Sequence, residues 1–178
     1  MKTSILTQTR YDYVLSVRQW WAWLIVSGLK PLENRKWQTA YRGPLYIHAG
    51  KRWDPRYYGD VHYAMNAAIL EEAFDYYELP FRTLRQLSAY TGKKTLFEIF
   101  ETGVVIGKVD LVDCVENASS KWAVKGMWHW ILENPTPLPS VPLSGQRGIF
   151  LSELREHYQK RRNLYGITHE MRPFHQAL

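Results

Sequence analysis

The stretch Val104–Asp113, Val-Val-Ile-Gly-Lys-Val-Asp-Leu-Val-Asp, constrains the fold more than any other part of the chain. It is rich in β-branched residues and places apolar side chains on both faces, so it reads as a long strand that needs a sheet around it. Shorter β-prone runs stand on either side of it: Val14–Val17, Leu45–Ala49 behind the Gly43-Pro44 turn, Trp128–Leu132, and Ile149–Leu151 behind the turn Ser144–Gly148. Asn134–Pro142, with four prolines, reads as a rigid extended connection. Between Gln19 and Leu29 the residues Trp20, Trp23, Leu24 and Ser27 recur at helical spacing, and Gly28 stands where a helix would end. Pro31 lacks an amide donor and pushes Lys30 toward extended geometry, which makes Lys30–Arg35 a loop or the entry of a strand.

From Asp54 the pattern changes. Tyr57–Tyr77 has helical periodicity up to Pro80, and Phe81–Tyr90 reads as a second helix closed by Gly92. Residues 54–103 are therefore expected to form a helical insertion. A basic helical tail is expected over residues 152–178, with Leu154, Tyr158 and Tyr165 on one side. At 178 residues, with no internal repeat or long linker, a single domain spanning residues 1–178 is the expectation.

Composition narrows the function classes. Aromatic residues make up 15% of the chain, with eight Trp and twelve Tyr, more than a core of this size usually needs. The surplus serves either packing or a platform on which bases stack. A formal charge of +6 favours a polyanionic partner. Cys114 is the only cysteine, which excludes an intrachain disulfide and a Cys-pair zinc site, and its place in an apolar run marks it as packed. The histidines are scattered, the acidic residues show no ligand pattern, and neither a Gly-rich phosphate loop nor a nucleophile elbow is present, so no metal and no cofactor is expected. The start of the chain does not read as a signal peptide, and no apolar run approaches a membrane span. A cytoplasmic location without a membrane partner is the corresponding expectation.

Leu15-Ser16-Val17-Arg18-Gln19-Trp20-Trp21-Ala22-Trp23-Leu24-Ile25, followed by Gly28-Leu29-Lys30-Pro31-Leu32-Glu33-Asn34-Arg35, resembles the opening of the ASCH family of the PUA-like superfamily. The family pattern runs close to L-S-[IV]-R-Q-P-W-A-x-L-[IL] and then G-x-K-x-x-E-x-R. Trp20 departs from it, standing where proline is usual. The likeness continues through Tyr41–Ala49, Gly107–Cys114, Trp128-His129-Trp130 and Gly145–Phe150. It implies an α+β chain built on a PUA-like β-barrel with peripheral helices. Relatives of this kind include RNA binders, proteins proposed to recognise modified bases, an amidohydrolase acting on acetylcytidine, and ribonucleases. The likeness by itself does not choose among them.

If the chain is extended after Pro31, Glu33 and Arg35 share a face, because side chains on a strand alternate with period two. A carboxylate paired with a guanidinium accepts hydrogen bonds rather than donating a proton, and the exocyclic amine of a base is a fitting donor. A plain ion pair tying the barrel together is the structural alternative. Lys30 suits a phosphate or a reacting carbonyl. Trp21, Lys30, Glu33, Arg35 and Trp128 are thus the candidate base-binding residues. Of Trp128 and Trp130, one ring is expected to face inward and the other outward. Arg18, Lys51 and Arg52 are candidates for the nucleic-acid backbone, with Trp53 and the pair Lys121-Trp122 extending the basic and aromatic pattern. Ser16 reads as a cap of the first helix or, with Gln19, as pocket lining. His48 is either a structural histidine or an acid–base group.

The leading expectation is a module that binds RNA or a modified nucleoside, with DNA as a further polyanion it accommodates. A hydrolase is the first alternative, with Lys30 and Glu33 as catalytic residues. The amidohydrolase pattern G-x-K-x-x-T-x-R carries threonine where this chain has Glu33, which weakens that transfer. A protein-interaction domain is the second alternative.

Overall fold

The computed structural model describes residues 11–52, 86, 100–154 and 157–158. Among the described residues, six strands and the short helix α1 follow one another as β1 (Asp12–Arg18), α1 (Trp21–Val26), β2 (Leu32–Arg35), β3 (Gly43–Gly50), β4 (Val104–Val115), β5 (Trp128–Pro142) and β6 (Ile149–Ser152). They form one six-stranded sheet in the order β2-β5-β4-β3-β1-β6. Only β1 and β3 run parallel, with α1 and β2 in the connection between them. The sheet curls into a half-barrel, consistent with the PUA-like barrel that the resemblance implies.

The long strand read at Val104–Asp113 is β4, extended to Val115, and its irregular register with β5 explains its mixed pattern. Register shifts occur between Val105 and Gly107, Lys108 and Asp110, and Leu111 and Asp113; buried positions alternate from Val105 to Leu111, and the last shift, which adds a residue on β4, moves the next buried position to Cys114. Adjacent residues of β1 separate cleanly: Leu15 and Val17 enter one apolar cluster with Leu45, Ile47, Leu111 and Trp130, while Val14 enters a second with Val105, Val141, Phe150 and Leu154. Cys114 is buried in the first cluster.

Helix α1 is shorter than its spacing predicts, and Ala22–Val26 are buried throughout. Gln19 accepts the Trp23 amide through Oε1 at 3.2 Å, and Ser27 Oγ donates to the Trp23 carbonyl at 2.8 Å. The Gln19–Trp20 peptide is cis. Gly28 has φ +81°, the left-handed conformation that ends a helix with least steric cost. The helix lies so close to β4 that a Cβ at Gly107 would stand 2.6 Å from Val26 Cγ1 and 2.8 Å from the Thr136 carbonyl.

Three expectations need correction. Asn134–Pro142 is no connection but the second half of β5, paired with β4 as far as Pro142 opposite Val104. Proline is tolerated because β2 pairs only with Trp128–Ile131, so beyond that point one side of β5 has no partner strand among the described residues. Trp128 and Trp130 do not face opposite ways: being two residues apart they share a face, with Trp130 inside the first cluster and Trp128 packed against it. Ser16 does not cap α1; it lies within β1, and Trp20 occupies the N-cap without a side-chain bond.

The helical insertion read at 54–103 lies almost wholly outside the described residues, as do Trp53 and most of the tail. Of the tail, Leu154 is buried in the second cluster and Tyr158 stacks on Tyr46 at 6.2 Å, so these two share a side. No helix among the described residues is long and apolar enough to cross a membrane.

Candidate nucleic-acid interface

β2 is an edge of the sheet, and the loop from α1 delivers Lys30 to its start. Lys30 is buried, and its Nζ donates to the Leu32 carbonyl and, at 3.1 Å, to Glu33 Oε2. The other carboxylate oxygen, Oε1, lies 3.1 Å from Arg35 Nη2. Extended backbone after Pro31 thus brings Glu33 and Arg35 to one face, with Lys30 completing the cluster. The same Arg35 Nη2 donates to the Ser16 carbonyl at 2.9 Å. That bond spans from β2, one edge, to β1, which stands next to the other edge. A guanidinium therefore bridges the seam of the half-barrel, where no pairing among the described strands does.

Tryptophans frame the cluster. The Arg35 guanidinium carbon lies 5.4 Å from the Trp37 ring centre and 5.8 Å from that of Trp130, within cation–π range of both. Those two rings meet edge to face, and Trp130 Nε1 donates to the Trp37 carbonyl at 3.2 Å. Lys30 Nζ lies 5.9 Å from the Trp21 ring, whose edge meets Trp122 at 6.3 Å between centres. Trp37 is 45% exposed whereas Trp130 is fully buried, so the frame has a solvent side and a core side.

Cations outnumber the carboxylate two to one in this cluster. Arg35 Nε is buried and donates to no atom among the described residues. The cluster can therefore accept a donor at the carboxylate and offer a donor at the guanidinium, both beside flat aromatic surface. No group of acidic, His or Cys side chains that could hold a metal ion occurs among the described residues.

The remaining candidates are dispersed. Arg18 is exposed at the end of β1, opposite Gly50 in register, and Lys51 and Arg52 are exposed just past β3. These three occupy the same end of the β1–β3 pair. Trp128 stands opposite Arg35 across β2 and β5, but the β5 ring against the Arg35 guanidinium is that of Trp130. Neither Trp37 nor Trp130 was among the expected base-binding residues. Period two continued from Glu33 and Arg35 points to Trp37, which is the signal that would have found it.

His48 is buried in β3, with Nε2 donating to the Leu143 carbonyl at 3.0 Å and Nδ1 accepting from Ser16 Oγ at 3.0 Å. Burial lowers its pKa below the usual histidine value and the Lys51 charge adds to the effect, while the bond to Leu143 opposes it. Gly145 lies against this pair, since a Cβ there would come 2.5 Å from His48 Cε1 and 2.9 Å from Ser16 Oγ. With both nitrogens engaged, His48 fastens the 143–145 segment over β1 and β3.

Residues 15–166 match the ASCH domain. The chain is also similar to activating signal cointegrator 1 from Mus musculus, at 33% identity over 105 residues, which cover 58% of this chain and 14% of the relative. The Homo sapiens protein of the same name is 32% identical over 111 residues, covering 61% of this chain and 15% of the relative. The chain thus spans only a small part of the length of these relatives. Because the family match takes in most of the sequence, from the first core strand to the tail, the chain belongs to the ASCH domain family.

Proposed function

We propose that the seam between β1 and β2 binds a base of single-stranded RNA, with Glu33 accepting from an exocyclic amine and Arg35 donating to a ring carbonyl or ring nitrogen. The observation that carries this reading is the convergence of Lys30, Glu33 and Arg35 on one side of an edge strand within a tryptophan frame, with the buried Arg35 Nε still to be satisfied. A buried donor without an acceptor is costly, and a ligand acceptor removes that cost. Cytosine presents an amine next to acceptors and so matches the pair. The surrounding rings supply stacking surface, and Arg18, Lys51 and Arg52 supply charge for the phosphates. The family match supports a nucleic-acid role in broad terms.

Hydrolysis finds less support. Lys30 Nζ is spent as a donor to Leu32 and Glu33, and Glu33 is held by two cations, so neither group is presented as a nucleophile. The test is fluorescence anisotropy with a labelled single-stranded RNA and the DNA of the same sequence, in rising salt. Binding is expected to weaken as salt rises. Glu33→Gln or Trp21→Ala is expected to weaken binding about tenfold, the scale of one lost stacking or base contact. Unchanged binding in both variants, with circular dichroism showing intact folds, rejects the site.

A further inference from the structure

Residues 116–127 join β4 to β5 without a helix or strand of their own, a length at which connections are usually functional or loosely held. This connection is pinned. Asn34, between Glu33 and Arg35 but on the opposite face of β2, donates through Nδ2 to the Trp122 carbonyl at 2.9 Å and accepts the Val124 amide on Oδ1 at 2.9 Å. His129, opposite Asn34 in register, accepts the Ala118 amide on Nδ1 at 3.1 Å and donates from Nε2 to the Val124 carbonyl at 3.0 Å. Two side chains from neighbouring strands thus bind both backbone groups of Val124 and fix the peptide that carries Trp122.

What the clamp holds in place is an aromatic ring with a cation beside it. Lys121 Nζ lies 5.3 Å from the Trp122 ring centre, and the lysine is exposed. Trp122 meets Trp21 edge to face, and Trp21 in turn lies beside Lys30. Rings and cations therefore continue outward from the Glu33 cluster along the sequence Lys30, Trp21, Trp122, Lys121. A single strand of RNA presents the same alternation of flat base and anionic phosphate.

We propose that this connection forms a second nucleotide subsite, in which Trp122 stacks the base next to the one held at Glu33 and Lys121 meets the phosphate between them. Asn34 acts as a positioning residue, because a ring held in place beforehand loses little freedom when a base stacks on it. The proposal rests on the base-binding reading above and adds a second contact to it.

The experiment measures anisotropy of a fluorescein-labelled single-stranded RNA octamer with wild type, Trp122→Ala, Trp122→Phe, Asn34→Ala, the double variant Asn34→Ala/Trp122→Ala, and Glu33→Gln. Trp122→Ala is expected to weaken binding about tenfold and Trp122→Phe to restore most of it, since a ring is retained. Asn34→Ala is expected to weaken binding severalfold in the wild-type background and to add nothing once Trp122 is gone, the signature of action through that ring. Binding by Trp122→Ala at the wild-type level, or losses from Asn34 and Trp122 that simply multiply, overturns the subsite. Sensitivity to Glu33→Gln with indifference to Trp122→Ala removes only the subsite. A wild type that does not bind, or a Glu33→Gln variant that binds unchanged, removes the base-binding reading and the subsite with it.

Discussion

The two faces of β2 differ in kind, although they belong to a strand of only four residues. One face carries charge: Glu33 and Arg35, joined by Lys30 and backed by tryptophan rings. The other carries Asn34, a neutral amide that spends both of its polar atoms on the backbone of the 116–127 connection. Alternation along a strand therefore sets the charged residues one position away from the residue that supports their surroundings. The charged face keeps a buried donor in reserve at Arg35 Nε, whereas the polar atoms of Asn34 on the opposite face are spent on the connection. That difference separates a face with an unsatisfied donor from one whose polar atoms serve the fold.

Removing the carboxylate is expected to have the largest effect. Glu33→Ala leaves the buried Lys30 and the largely buried Arg35 without their counterion, and a loss of about 3 kcal/mol in urea unfolding is expected, as for an ion pair deprived of one partner. Asn34→Ala removes two hydrogen bonds whose backbone partners lie nearer solvent, so a smaller loss of about 1–2 kcal/mol is expected. Equal losses from the two variants, or a larger one from Asn34, show that the faces do not divide as described.

A third measurement uses His48 on β3, outside β2, as a reference. His48 has its pKa lowered in the folded chain, chiefly by burial, so the folded form disfavours the protonated ring relative to the unfolded chain. The stability it contributes is complete above the unfolded value of 6.5 and falls as pH drops from there through the lowered folded value. The thermal midpoint should therefore decline as pH falls below 6.5, and His48→Gln should flatten that decline; a slope unchanged in the variant assigns the effect to other groups. Of the three effects this is the smallest, since the bond to Leu143 offsets part of the shift.

How much of this was legible in the sequence differs from residue to residue. Gly28 marked the end of α1 because only a residue without a Cβ adopts φ +81° at little cost, and Pro31 marked the change to extended backbone. The β1, β3 and β6 strands were readable from short apolar runs between turns. The proline half of β5 was not: proline argues against a central strand, and nothing local shows that one side of this strand lacks a neighbour among the described residues. The Glu33–Arg35 pair followed from period two, but the inclusion of Trp130 did not, because Trp130 comes from β5 and meets Arg35 only through the pairing of β2 with β5.

The family, most of the strands and the shared face of Glu33 and Arg35 are legible in the sequence, since they depend on spacing and on the conformational limits of single residues. Which partners the cluster meets depends instead on how the chain closes on itself. Arg35 reaches the Ser16 carbonyl because the sheet curls until its edge strand faces β1, and Asn34 reaches Trp122 because the β4–β5 connection folds back over β2. Contacts between residues this far apart along the chain are set by how the sheet closes, and curvature is a property of all the strands together rather than of any one segment.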